Sequence, residues 1–141
     1  MQNFLAQIYP FILLPDIELN ILNNNIIKNQ YKKDDIIFRE SSEPLEYLYI
    51  IEKGSVVLES NEQPVETLKE HDVFGFVSLL GDQPPTSTAR VLEDNTMIWL
   101  IPKQIFLRLC SNYSDFALFF TKKLTKRIHK YSHSQSFFDI E

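Results

Sequence analysis

The sequence predicts a mainly β domain, a barrel or jelly roll, with helices before and after it. Three observations carry this. Apolar residues recur at helical spacing only near the two ends, from Asn3 to Asn25 and again from Lys103 on. Between them, from Ile26 to Pro102, short runs rich in β-branched and aromatic residues follow one another, each bounded by turn residues. The 141 residues, 44% of them hydrophobic, suit one domain with a real core. Three zones are expected: 1–25 for the N-terminal helices, 26–102 for the strands and 103–141 for the C-terminal helices and a polar tail.

The elements follow in order. Phe4, Leu5 and Ile8 stand at helical spacing, and Pro15 suits the first position of a second helix, Asp16 to Leu22, which Asn23–Asn25 ends. IIKNQYK and IIFRE then flank the charged turn KDD. LEYLYIIE alternates, so that Leu45, Tyr47, Tyr49 and Ile51 share a face. Gly54 turns the chain into SVVLES, and Asn61–Glu62 makes a hairpin back into PVETLKE. TARVLED and TMIWLIP are joined at Asp94–Asn95. Lys103 to Leu109 forms a short helix. Ser114 or Asp115 caps a longer one, Phe116 to about Tyr131, with Phe116, Phe119, Phe120, Leu124 and Ile128 as its apolar stripe. Lys122, Lys123, Lys126, Arg127 and Lys130 form its polar side.

Composition excludes several classes of function. The net charge of −5 argues against nucleic-acid binding by this chain, because phosphate contacts need a basic face. The one cysteine, Cys110, allows neither an internal disulfide nor a thiolate cluster and fits the cytoplasm. No apolar run approaches the ~18 residues of a membrane span. His129 and His133 have helical metal-ligand spacing but no third ligand, so no metal site is expected. No Ser-His-Asp or Cys-His set is visible, and the strands carry no histidine cluster, so no enzyme is expected.

In this order of elements, DDIIFRESSEPLEYLYIIEKGSVVL (34–58), HDVFGFVSLLGDQPP (71–85) and TARVLEDNTMIWLIPKQIFLRL (88–109) resemble the cyclic nucleotide-binding domain. That family includes catabolite activator proteins, kinase regulatory subunits and gated channels. The resemblance implies a β jelly roll, or double-stranded β-helix, with a phosphate-binding-cassette-like segment at 74–88. A narrower likeness, in FLAQIYPFILLP, FGFVSLLG, LEDNTMIWLIP and FALFFTKKLTKRI, is to the N-terminal input domain of bacterial signal-transduction proteins. There it is followed by CBS and nucleotidyltransferase-like domains, and residue 141 would be an internal boundary.

In ligand-binding members the cassette reads Phe-Gly-Glu, an apolar stretch, then Pro-Arg-Ala. The glutamate takes the ribose hydroxyl, the arginine pairs with the cyclic phosphate and backbone N–H groups complete the site. Here Phe74 and Gly75 keep the opening and Gly81 keeps the second turn glycine. Phe76 stands for the glutamate, Pro85 for the arginine and Ser78 for an alanine against the sugar-phosphate. His71 stands at a turn position where a glycine is common. The one ionisable residue of Phe74–Thr86 is Asp82, whose sign repels an anion. Lost phosphate and ribose contacts would weaken cAMP binding by about 10²- to 10⁴-fold.

The candidate ligand-binding residues are therefore Phe74, Gly75, Phe76, Val77, Ser78 and Leu79, then Pro85, Thr86, Ser87 and Thr88. The last three and Ser78 offer hydroxyls, and Arg90 offers a cation if its strand face allows. A cyclic nucleotide or another small anion is the only cofactor in view. Two functions follow. One is a regulatory sensor, in which a ligand moves the short helix 76–80 and re-packs the stripe Phe116–Ile128. The other is a ligand-free dimerisation or docking scaffold, in which that stripe, core or dimer seam, packs one way only, with a homodimer through the C-terminal helix as the expected partner. Phe76 turned into the pocket favours the scaffold, and Phe76 turned out favours the sensor.

Overall fold

The computed structural model describes residues 4–134, with side chains described as far as Lys126. Eight strands form two four-stranded antiparallel sheets. β1 (Ile27–Tyr31), β8 (Thr96–Pro102), β3 (Tyr47–Lys53) and β6 (Val73–Phe74) make one, in the order β1-β8-β3-β6. β2 (Ile36–Phe38), β7 (Thr88–Val91), β4 (Val56–Ser60) and β5 (Gln63–Leu68) make the other, in the order β2-β7-β4-β5. The chain changes sheet at nearly every turn, which makes this a jelly roll. The charged turn and Gly54 are therefore corners between sheets. Among the described residues only β4 and β5 form a hairpin, and Asn61 and Glu62 both have positive φ, as a tight hairpin with right-handed twist needs.

Four helices are added: α1 (Asp16–Asn25), α2 (Phe76–Gly81), α3 (Lys103–Asn112) and α4 (Ser114–Ser134). The helix expected around Phe4–Ile8 is instead a pair of single 3₁₀ turns, Leu5–Gln7 and Phe11–Leu13. Pro10 between them has no N–H to donate, so one continuous helix cannot form. Pro15 sits just before α1 rather than inside it.

Two compact units result. Residues 15–108 hold the jelly roll, α1, α2 and most of α3. Leu48, Ile50, Ile51, Val56, Phe74, Ala89, Val91, Ile98 and Ile101 are wholly buried there. Both faces of β3 are buried, unlike the single face its alternation suggests, and α2 packs against this strand. The Arg108 guanidinium donates two hydrogen bonds, 2.7 and 3.0 Å, to the buried Glu18 carboxylate and clamps α1 to α3. The second unit joins the segment ending at Leu14 to the chain from Leu109 on. Its core holds Leu5, Phe11, Phe116 and Phe120, with Phe11 edge-on to Phe116 at 5.3 Å.

Candidate functional site

The cassette begins where β6 ends. Gly75 has φ +92°, and a Cβ there would lie 3.1 Å from Tyr49 Cδ2 and 3.4 Å from the Tyr47 carbonyl oxygen. Glycine thus allows both the turn and the close approach of the cassette to β3. Just before it, Phe74 stacks on Tyr49 at 5.2 Å, and Phe38 leans on both rings at 6.0 and 5.4 Å. Gly81 behaves differently. It is the last residue of α2, the left-handed turn falls on Asp82 (φ +51°), and a Cβ at Gly81 would meet only Gln83 Cγ at 3.7 Å. Gly75→Ala is therefore expected to destabilise by about 1–3 kcal/mol, and Gly81→Ala to be neutral or to stabilise by about 0.5 kcal/mol. Urea midpoints of the two variants check this, and equal losses would contradict it.

Ser78 Oγ, Thr88 Oγ1 and the Pro85 carbonyl are engaged in holding the fold. Phe76 is wholly buried. Ser78, also buried, accepts the Leu45 N–H through Oγ at 3.0 Å and donates to the Gln83 carbonyl. That pins the loop before β3 to α2 and closes the turn after it. Pro85 is buried, and its carbonyl accepts the Ser41 N–H at 2.9 Å. Thr88 Oγ1 accepts the Glu40 N–H at 2.8 Å. Thr86 is exposed and Ser87 half-buried. Within α2, Val77 is half-buried, Leu79 buried and Leu80 exposed.

The charges lie elsewhere. Asp82 pairs with Lys103 Nζ at 3.0 Å, which ties the end of the cassette to the first residue of α3. Arg90 does not reach the cassette. It shares a strand face with Thr88, opposite the wholly buried Ala89 and Val91, and pairs with Glu59 (2.7 Å) and Asp34 (2.9 Å). Its hydrogen bond holds the Glu59 carboxyl below the usual range. His71 takes a left-handed conformation (φ +75°) with its N–H on the Ile51 carbonyl, a turn residue in the place of a glycine. Among the described residues, no three His, Cys, Asp or Glu side chains group to hold a metal ion. Arg127, Ile128, His129, Lys130 and His133 lie outside the described side chains.

Beneath the cassette, burial above all pushes the Tyr49 hydroxyl up to about 12, helped by Tyr31 and Tyr47. The folded chain holds this proton more tightly than the unfolded chain. The tyrosine's contribution is thus complete below pH 10 and is lost as pH rises from 10 to 12. The loss amounts to about 2–3 kcal/mol by pH 12. Tyr49→Phe is expected to flatten this alkaline limb in melts recorded from pH 8 to 11.5. An unchanged limb would contradict it. Burial likewise pushes the Cys110 thiol up to about 11, leaving little thiolate at neutral pH.

The aromatic stripe on α4 is largely internal. Phe116 and Phe120 are wholly buried and Leu124 is half-buried. Phe119 is half-buried, edge-on to Tyr9 at 5.6 Å and to Phe120 at 5.0 Å. Of the two roles expected of the stripe, core or dimer seam, Phe116 and Phe120 take the core one in this chain. Among the described side chains of α4, Ser114, Asp115, Leu118, Thr121, Lys122, Thr125 and Lys126 face solvent.

The family model described as cyclic nucleotide-binding domain matches residues 28–113. A cGMP-dependent protein kinase of Plasmodium berghei is 28% identical over 108 residues, which are 77% of this chain and 12% of the kinase. The chain thus spans only a small part of the curated relatives it matches. Among solved structures, the regulatory domain of Toxoplasma gondii PKA with cAMP superposes with a TM-score of 0.75 at 20% identity, over 87% of this chain and 48% of that one. The regulatory subunit of a cAMP-independent protein kinase A from Trypanosoma cruzi, bound to guanosine, gives 0.65 at 23% identity, over 68% and 34%.

Proposed function

The chain belongs to the cyclic nucleotide-binding domain family, and from that premise we propose that it is a regulatory module which does not take ordinary cAMP and acts as a docking scaffold. The observation that carries this is Phe76, wholly buried where ligand-binding members place the ribose acceptor. Pro85 in place of the arginine, Ser78 and Thr88 hydroxyls engaged with the backbone, and Asp82 neutralised by Lys103 support the same reading. The module is not catalytic. It serves a bacterial, cytoplasmic signal-transduction protein in which CBS and nucleotidyltransferase-like domains carry the output.

One observation favours a second reading. A cassette without a cation suits a ligand without a charged phosphate, and one structural neighbour carries guanosine. Melting with 1 mM guanosine, adenosine or cGMP separates the two. A ligand bound at 1 μM would raise stability by about 4 kcal/mol at that concentration. The scaffold reading expects no shift with any of them. A shift of several degrees with a nucleoside alone would establish the second reading.

A further inference from the structure

We propose that the hollow between Tyr9 and α4 is a docking surface for an acidic amphipathic helix of a partner protein, an inference that rests on the docking reading above. The hollow, about 300 Å³, is lined by Tyr9, Leu118 and Phe119 with Lys122, Lys123 and Lys126, and by Asp115 at one end. All its residues belong to the unit that joins the start of the chain to α4. Tyr9 is 56% exposed and Leu118 46%, large apolar side chains left in water side by side. Lys123 Nζ lies 5.3 Å over the Phe119 ring, while Lys122 and Lys126 stand in solvent. Positions 115, 118, 119, 122, 123 and 126 repeat at three and four residues, so they form one stripe along a helix, with an apolar end and a basic end. A concave apolar seat flanked by cations is complementary to a helix with one or two apolar anchors flanked by carboxylates.

Charge selects this occupant over two others. A second copy packed through the same face would set these lysines against one another, because a two-fold interface meets itself. An anionic membrane would be an extended negative plane facing a chain of net charge −5. A short acidic helix meets only the patch, and charges beyond the Debye length of about 8 Å are screened.

The test uses the 141-residue chain and a displayed library of helical 14-residue peptides. All carry the same Leu/Phe anchor stripe, with flanks randomised among Glu, Lys, Ser and Gln. Enrichment of Glu-flanked clones is expected, with affinity falling at least tenfold on Lys122→Glu/Lys126→Glu and on Leu118→Ser, and falling as salt is raised. These positions are exposed, and an unchanged melting temperature verifies that the variants fold. Enrichment of Lys- or Ser-flanked clones that depends on Leu118 would overturn the acidic partner and leave the docking reading standing. No enrichment over the input, or clones indifferent to both variants, would overturn both. Tighter binding to phosphatidylserine vesicles than to any clone would make the surface a membrane contact instead.

Discussion

Gly54→Ala is expected to destabilise the chain by about 3–5 kcal/mol. Gly54 turns the chain from β3 in one sheet to β4 in the other with φ +98°. An alanine Cβ would lie 2.2 Å from Thr96 Oγ1 and 2.9 Å from Thr96 Cα. Thr96 is wholly buried, and its hydroxyl donates to the Glu93 carbonyl at 2.8 Å. The obstacle is thus partly backbone in the first residue of β8, and it cannot swing aside as a lysine tip would. The left-handed backbone and the clash act together, and the sum is a large share of a typical domain stability of about 5–15 kcal/mol. Urea unfolding measures it. A loss below about 1 kcal/mol would mean that the corner re-forms with another geometry.

Phe76→Ala is expected to destabilise by about 3–5 kcal/mol, the usual range for emptying a buried phenylalanine site. It also bears on function. On the resemblance, Phe76 stands where ligand-binding members carry the ribose acceptor, so its removal opens room there without supplying a cation at Pro85 or an acceptor for the ribose. The variant is expected to be less stable and still not to bind cAMP. A near-neutral change in stability would contradict the core role of Phe76. Micromolar binding of cAMP by Phe76→Ala would mean that the ring alone closes the site.

What was legible in the sequence was local. Gly54, Asn61 and Asn95 mark turns because each tolerates the positive φ that the turn imposes, and all three adopt it, as does Glu62 beside Asn61 without that preference. The cassette-like segment is read from Phe-Gly, an apolar stretch and a Pro pair at the family's spacing, and on that resemblance Phe76 and Pro85 stand as substitutions. What was hidden depends on partners far along the chain. Glu18 and Arg108 lie 90 residues apart, and nothing near either announces the clamp. Arg90 is drawn to Glu59 by strand register, which its own neighbours do not reveal. The loop 40–45 is pinned to the cassette through Ser78, Pro85 and Thr88, and its plainest sign in advance was the hydroxyl at Ser78 where an alanine is usual. Gly81 misled because glycine is the commoner left-handed residue, yet Asp82 takes that turn.

The most direct test of a cassette without its cation is calorimetric titration of the chain with cAMP. No measurable heat at concentrations up to about 1 mM is the expected result, in keeping with Phe76 inside and no arginine at Pro85. Binding at micromolar concentration or tighter would contradict it. Attention would then turn to Arg39, exposed on the stretch that runs into the loop held by the Pro85 carbonyl, as the cation that replaces the missing one.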